Sequence, residues 1–193
     1  MSSMPNASVL ADVWYPATSS RVVPRQVLLV GVGALVIALG AQVAFPLPFT
    51  PVPVTLQTLA VLLVGVVLGS RRGALAAAVY VVGGACGLPL FAAGGLGLVR
   101  LLGPTGGYLL GFIAAAFVVG WLAEHGCGRN IWTAMLAMLA GTVVLYAIGL
   151  PWLAFYVGSA HVVALGLLPF IPGAIVKLAL AVLLLPTAWR FTR

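Results

Sequence analysis

Apolar residues run along this chain in long blocks, not in alternation with polar ones. Six blocks stand out, at about 27–45, 54–69, 74–88, 108–123, 131–150 and 172–189. An α-helix rises about 1.5 Å per residue, so the first block reaches on the order of 28 Å, close to the hydrocarbon thickness of a bilayer. The pattern predicts six transmembrane helices in an all-α integral membrane protein. The breaks between blocks are of two kinds. Ser70-Arg71-Arg72-Gly73 reads as a tight turn, and Glu124 to Asn130 is a short polar connection. The stretches 46–53, 89–107 and 151–171 are longer and rich in Pro and Gly.

Within these longer breaks the residue types are specific. Pro46 to Pro53 places four prolines in eight residues, which no helix interior tolerates. Glycine recurs so often between Gly94 and Gly107 that a folded loop is expected there, not a helix. Pro151 stops the fifth block, and 152–168 has room for a short interfacial helix. Irregular backbone at a membrane persists only where protein or a water-filled cavity satisfies it. Three such loops on one face therefore predict a lidded pocket opening on that side.

Composition narrows the class. The chain has 193 residues, 63% hydrophobic and 6% charged; soluble domains carry about 25% charged residues. A soluble domain is excluded, and six spans leave no room for a separate catalytic domain. Residues 1–24 are polar, with serines and prolines, and read as a loose N-terminal tail before a single membrane domain at 25–193.

Charge sets orientation. The chain has nine cations, two acids and a net charge of +7. The cations are scattered singly or in pairs, so there is no continuous basic face for nucleic acid. Arg21, Arg25, Arg71, Arg72, Arg129, Arg190 and Arg193 fall on one side of the predicted spans, and Arg100 alone falls on the other. The positive-inside rule then puts both termini in the cytoplasm and the three long loops outside, in the cell membrane. Cys86 and Cys127 lie toward opposite faces, which argues against a disulfide.

The candidate chemistry is sparse. Lys177 is the only charge inside a predicted span, about one turn into the sixth. A lysine in a membrane is expensive and is by default a functional residue. It suits an anionic ligand group near a helix N-terminus; the alternative is a lysine snorkelling to the interface. Arg100 is the lone outer cation, either an anion-binding group or a solvated loop residue. Thr50, Thr55, Gln57, Thr58, Thr105 and Tyr108 flank the first two outer loops and are candidate hydrogen-bonding partners for a polar head group. Asp12 and Glu124 are the only acids, and neither is placed to pair with Lys177. His125 and His161 are too far apart to share a metal.

No metalloprotease motif, nucleophile elbow or phosphate loop occurs. Neither catalytic residues, nor a metal, nor a resident cofactor is expected. A membrane enzyme acting on a lipid lacks its acid–base pair here, and an assembly factor would not need Lys177 or the outer loops. Without carboxylates in the spans, proton-coupled pumping is unsupported. Such a protein binds passively or draws energy from a partner. On the first helix, Ala34 and Ala38 form a small-xxx-small pair that could admit another helix.

Several stretches resemble those of a known family. Phe49-Thr-Pro-Val-Pro-Val-Thr-Leu-Gln-Thr58, Gly87-Leu-Pro-Leu-Phe91, Gly103-Pro-Thr-Gly-Gly-Tyr-Leu-Leu-Gly-Phe112 and Pro169-Phe-Ile-Pro-Gly173 with Lys177 are similar to BioY, the biotin-specific S component of energy-coupling factor (ECF) transporters. The resemblance covers about residues 25–190. It implies a six-helix S-component fold and capture of biotin at the outer face beneath a proline-rich lid. It also implies a separate transmembrane coupling protein and two cytoplasmic ATPases, which hydrolyse the ATP. It assigns Ala34 and Ala38 to the coupling-protein contact. Lys177, Ala174, Arg100, Tyr108, Thr105, Gln57 and Thr58 become the expected substrate-binding set. One position departs from the pattern. The family's sixth helix carries Pro-Gly-Asp-x-x-Lys, whereas this chain reads Pro172-Gly173-Ala174-Ile-Val-Lys177. The missing carboxylate implies either weakened biotin binding or a different vitamin.

Overall fold

The six apolar blocks all become helices, with shifted ends. The computed structural model describes residues 9–15 and 22–191. Arg21, Arg193 and the tail positions 1–8 and 16–21 lie outside the described residues. In chain order the elements are α1 (Leu10–Trp14), α2 (Val22–Gln42), β1 (Ala44–Phe45), β2 (Val54–Thr55), α3 (Gln57–Leu68), α4 (Ser70–Ala85), α5 (Leu98–Leu102), α6 (Gly106–Glu124), α7 (Ile131–Val157), α8 (Val162–Gly166) and α9 (Ile171–Arg190). Single turns of 3-10 helix occupy Ala92–Gly94 and Leu168–Phe170.

Four stretches are long and apolar enough to cross a membrane: Val22–Gln42, Gly106–Glu124, Ile131–Val157 and Val162–Arg190. α3 has 12 residues and α4 has 16. At about 1.5 Å per residue they reach about 18 and 24 Å, short of the roughly 30 Å hydrocarbon core. Among the described residues, four of the six expected spans therefore reach that length, with α3 and α4 as shorter apolar helices beside them.

α6 is the hub, packed against α3, α4 and α7. Its Ala115, Ala116 and Val119 are fully buried. Small residues let the backbones close up. A Cβ on Gly65 would lie 2.6 Å from the Ala116 carbonyl oxygen, and one on Gly73 would lie 2.8 Å from the Gly65 Cα. α2 joins the same core through Gly33, Ala34, Ile37, Ala38 and Ala41, all buried. A Cβ on Gly33 would meet Leu68 and Ala76, so this face looks at α3 and α4. Ala34 and Ala38 therefore pack inside the chain.

Other boundaries differ for identifiable reasons. Ser70 to Gly73 is the first turn of α4, not a loop. The whole corner is Gly69, at φ +87, a left-handed conformation that glycine adopts without penalty. The Glu124 carboxylate accepts from the Ser70 amide at 2.8 Å and from its hydroxyl at 2.9 Å, and so caps α4 from the end of α6. α7 runs through Pro151 instead of stopping there. The proline removes one helical hydrogen bond, and tertiary ties outweigh that loss. Trp152 Nε1 donates to the Gly103 carbonyl at 3.0 Å, and the Tyr156 hydroxyl donates to the Leu102 carbonyl. Those carbonyls end α5, a five-residue helix in the stretch expected to be all loop. The connector after α7 does hold a short helix, α8.

The all-α expectation has one exception. Ala44 pairs with Thr55 and Phe45 with Val54, so 46–53 is the tip of a two-stranded hairpin. The tail expectation also changes where it can be seen. Val9, Leu10 and Ala11 are buried, and α1 packs on α3. Asp12 bridges Arg25 at 2.7 Å and Arg72 at 2.8 Å. Residues 9–15 are therefore docked, not loose. Cys86 and Cys127 are both free.

Candidate functional site

At the end of the bundle where the long connections gather, the three loop regions and four helices enclose one cavity. Val52 and Pro53 from the hairpin tip form part of its roof. Leu62, Phe112, Met138 and Leu145 form an apolar wall from α3, α6 and α7. The loops are stitched to each other and to the helices. Thr50 Oγ1 donates to the Leu165 carbonyl at 2.7 Å, joining the hairpin tip to α8. The Tyr108 hydroxyl donates to the Gly166 carbonyl at 2.9 Å, joining α6 to α8. Gln42, at the end of α2, holds the second loop through the Leu90 carbonyl and the Gly94 amide.

The substrate-binding set expected from sequence converges on this cavity. Gln57 and Thr58 line it from the first turn of α3. Thr105 and Tyr108 line it from the start of α6, and Arg100 from α5. Ala174 and Lys177 line it from α9, three residues apart and so on one helix face. Thr55 also faces it, whereas Thr50 serves the loop tie just described.

Lys177 is the chemical centre. Its Nζ donates to Thr58 Oγ1 at 2.9 Å across the cavity, linking α9 to α3. No carboxylate approaches it. Of the two acids in the chain, Asp12 is held by Arg25 and Arg72, and Glu124 by Ser70. An ammonium carries three donors, so a half-buried lysine with one hydroxyl partner has capacity for an anionic or polar acceptor.

Gln57 adds a second unmet demand. It is only 3% exposed. Its side-chain nitrogen and the buried Tyr80 hydroxyl lie near each other, yet neither makes a well-formed hydrogen bond. Buried polar groups are normally paired, and an orphan is costly. A polar ligand in the cavity would supply the acceptor Gln57 lacks. Thr105 and Arg100 are joined locally, with Thr105 Oγ1 donating to the Arg100 carbonyl at 3.3 Å.

What sequence reasoning missed is the apolar half of the site. Phe91, Phe112, Met138 and Phe170 line the cavity; Phe91, Phe112 and Phe170 fall in the stretches that carry the resemblance, but in a chain this apolar their residue type alone did not distinguish them from core or lipid-facing residues. Thr142, also in the lining, donates to its own helix at the Met138 carbonyl. Its mid-helix position gave no signal. His125 and His161 stand apart from the cavity. Among the described residues, no group of three His, Cys, Asp or Glu side chains gathers in one place.

Comparison with known proteins agrees with this architecture. The biotin transporter BioY of Rhizobium etli is 42% identical over 159 residues, covering 78% of this chain and 85% of that protein. The biotin transporter BioY of Thermotoga maritima is 43% identical over 162 residues, covering 83% and 93%. Among solved structures, the S-component for biotin from an ECF-type ABC transporter superposes with a TM-score of 0.79. It is 24% identical in sequence, with 89% of this chain and 94% of that chain covered. That likeness shows the S-component fold. The relatives are named as transporters, not enzymes, and the four long apolar stretches fit a multi-pass membrane protein. The family model described as the BioY family matches residues 13–193, and the chain belongs to the BioY family.

Proposed function

We propose that this chain is the biotin-specific substrate-binding subunit of an ECF transporter in the cell membrane, and that biotin is held in the cavity around Lys177. The single observation that carries the reading is the Lys177–Thr58 pair. Among the described residues, Lys177 is the only charge on a spanning helix that faces the cavity, it lacks a carboxylate partner, and the Gln57 amide beside it makes no well-formed hydrogen bond. The amphipathic lining suits a ligand with an apolar body, a polar ring and a carboxylate. Lys177 and Arg100 are the two cations available to the carboxylate. Gln57, Thr58, Thr105 and Tyr108 are the neutral groups available to the ring.

In this reading α2, α3, α4, α6, α7 and α9 are the six membrane helices, the two short ones completed by protein packing at their ends. The hairpin tip at 46–53 is the lid. The cation-rich end is cytoplasmic and carries both termini, so residues 1–24 lie on that side of the 25–193 membrane domain and the cavity opens outward. The chain needs no cofactor of its own. A transmembrane coupling protein and two cytoplasmic ATPases supply the energy. The relatives named as biotin transporters support the substrate.

Equilibrium binding of radiolabelled biotin to the purified protein tests the assignment. Saturable binding that unlabelled biotin displaces, and that thiamine and riboflavin do not, is the expected result. A second reading, an S component for another vitamin, is favoured by one observation: Ala174 lines the cavity where the resemblance calls for an aspartate. Displacement by thiamine or riboflavin but not biotin would select it.

A further inference from the structure

A second recess lies at the opposite end of the molecule, between the start of α7 and the end of α9. It is a cleft of about 460 Å³ lined by Arg129, Asn130, Trp132, Pro186, Trp189 and Arg190. The Arg129 guanidinium lies over the Trp189 ring, 4.9 Å from its centroid. A guanidinium held over an indole keeps its charge and its planar fork of N–H donors, the group that suits bidentate recognition of phosphate. Arg190 brings a second cation to the same cleft. Asn130 is already committed, since its Oδ1 accepts the Thr133 amide at 2.9 Å and caps α7.

The charge of this cleft has no side-chain counterpart in the protein. The chain holds two acidic side chains. Asp12 is engaged by Arg25 and Arg72, and Glu124 by Ser70. The aromatic setting points to where the compensating anion sits. Trp132 is 72% exposed and Phe191, just beyond α9, is 86% exposed. Indole and guanidinium side by side at the end of two membrane helices is the composition of a membrane–water interface, where the headgroups are. Basic residues at that depth attract anionic lipid.

We infer that the Arg129–Trp189–Arg190 cleft binds the phosphate of an anionic phospholipid headgroup. The lipid tails would run along the exposed apolar flank that begins with Ile131 and Trp132 on α7 and Leu183 and Leu184 on α9. The site is separate from the cavity around Lys177 and does not depend on what that cavity holds.

The test is native mass spectrometry of the purified full chain in neutral detergent, titrated with phosphatidylglycerol or with phosphatidylcholine. One phosphatidylglycerol should be retained about five- to tenfold more tightly than phosphatidylcholine. R129Q should lose most of that preference, and R129K, which keeps charge but not the planar fork, should fall between. R71Q removes the same charge from the same end but outside the cleft, and should retain the preference. Thermal melting shows whether each variant is folded; R190Q takes the place of R129Q if the latter is not. An undiminished preference in folded R129Q or R190Q overturns the proposal, as does equal loss in R71Q. Full displacement of the lipid by millimolar inorganic phosphate would make this a free-anion site and overturn it. Binding of a Glu-rich peptide with no preference between the lipids would also overturn it, in favour of a protein partner.

Discussion

The two ends of this molecule differ in whether their buried charges meet a carboxylate. At the end that holds Asp12 and Glu124, both carboxylates are spent on structure: one clasps Arg25 and Arg72, the other caps α4. Connections there are tight, down to the single residue Gly69 between α3 and α4. At the loop end no carboxylate exists. Lys177 finds only a hydroxyl and Gln57 leaves a donor unpaired. The difference separates an end where paired charges hold helices together from an end with donors to spare, which is where the proposed reading places the ligand.

That contrast can be broken most sharply at the satisfied end. Asp12→Ala should destabilise the protein by about 2–3 kcal/mol, because Arg25 is nearly fully buried and loses its carboxylate partner. Chemical or thermal unfolding in detergent reads this, with biotin affinity unchanged. The same clasp predicts a pH dependence. Burial raises the Asp12 pKa, but the hydrogen bonds and charges of Arg72 and Arg25 outweigh it and hold the carboxyl below its ordinary value. The clasp's contribution is complete above the ordinary aspartate range near about 3.9. It is lost as pH falls through the lowered folded value. Melting temperature measured down the acid range should fall more for the wild type than for Asp12→Ala, so that the two curves converge.

At the unsatisfied end, Lys177→Met should weaken biotin binding about a hundredfold, or about 2.7 kcal/mol, and leave the melting temperature of the ligand-free protein nearly unchanged. Ala174→Asp moves the loop end toward the other by supplying a carboxylate one turn from Lys177. Biotin affinity should rise roughly ten- to hundredfold, the worth of one charged hydrogen bond. Equal affinities in a titration of both proteins would remove residue 174 from the ligand contacts. The smallest effect is expected from Gln57→Met. It should lower biotin affinity about fivefold with little change in the stability of the empty protein, since an unpaired amide is removed but the neighbouring buried Tyr80 hydroxyl is left alone. A loss of both affinity and stability would show that Gln57 is a structural residue.

The helices and the polar half of the cavity were legible in the sequence because each rests on a rare event in an apolar chain. A charge within a span, a cluster of prolines and a glycine-rich break all stand out. Lys177, Arg100 and Gln57 could be chosen by their scarcity. Three features were not legible. Pro151 stays inside α7 because Trp152 and Tyr156 reach distant carbonyls, and local propensity says nothing of such partners. Docking of α1 depends on Asp12 meeting Arg72, sixty residues away. The apolar wall of the cavity was invisible for the reason that made the spans visible: nearly everything around it is also apolar.

Gly69 has a consequence for anyone who would alter the chain. With a single residue between α3 and α4, the rotational phase of one helix is locked to that of the other. Each residue added or removed there would turn α4 by about 100° about its axis. One insertion would swing Gly73 off Gly65, carry Arg72 away from Asp12 and pull Ser70 from Glu124 together. The corner behaves as a keyed joint. Tags, labels and length changes belong on the hairpin tip at 46–53 only if the cavity is to be disturbed, and at the α3–α4 corner not at all.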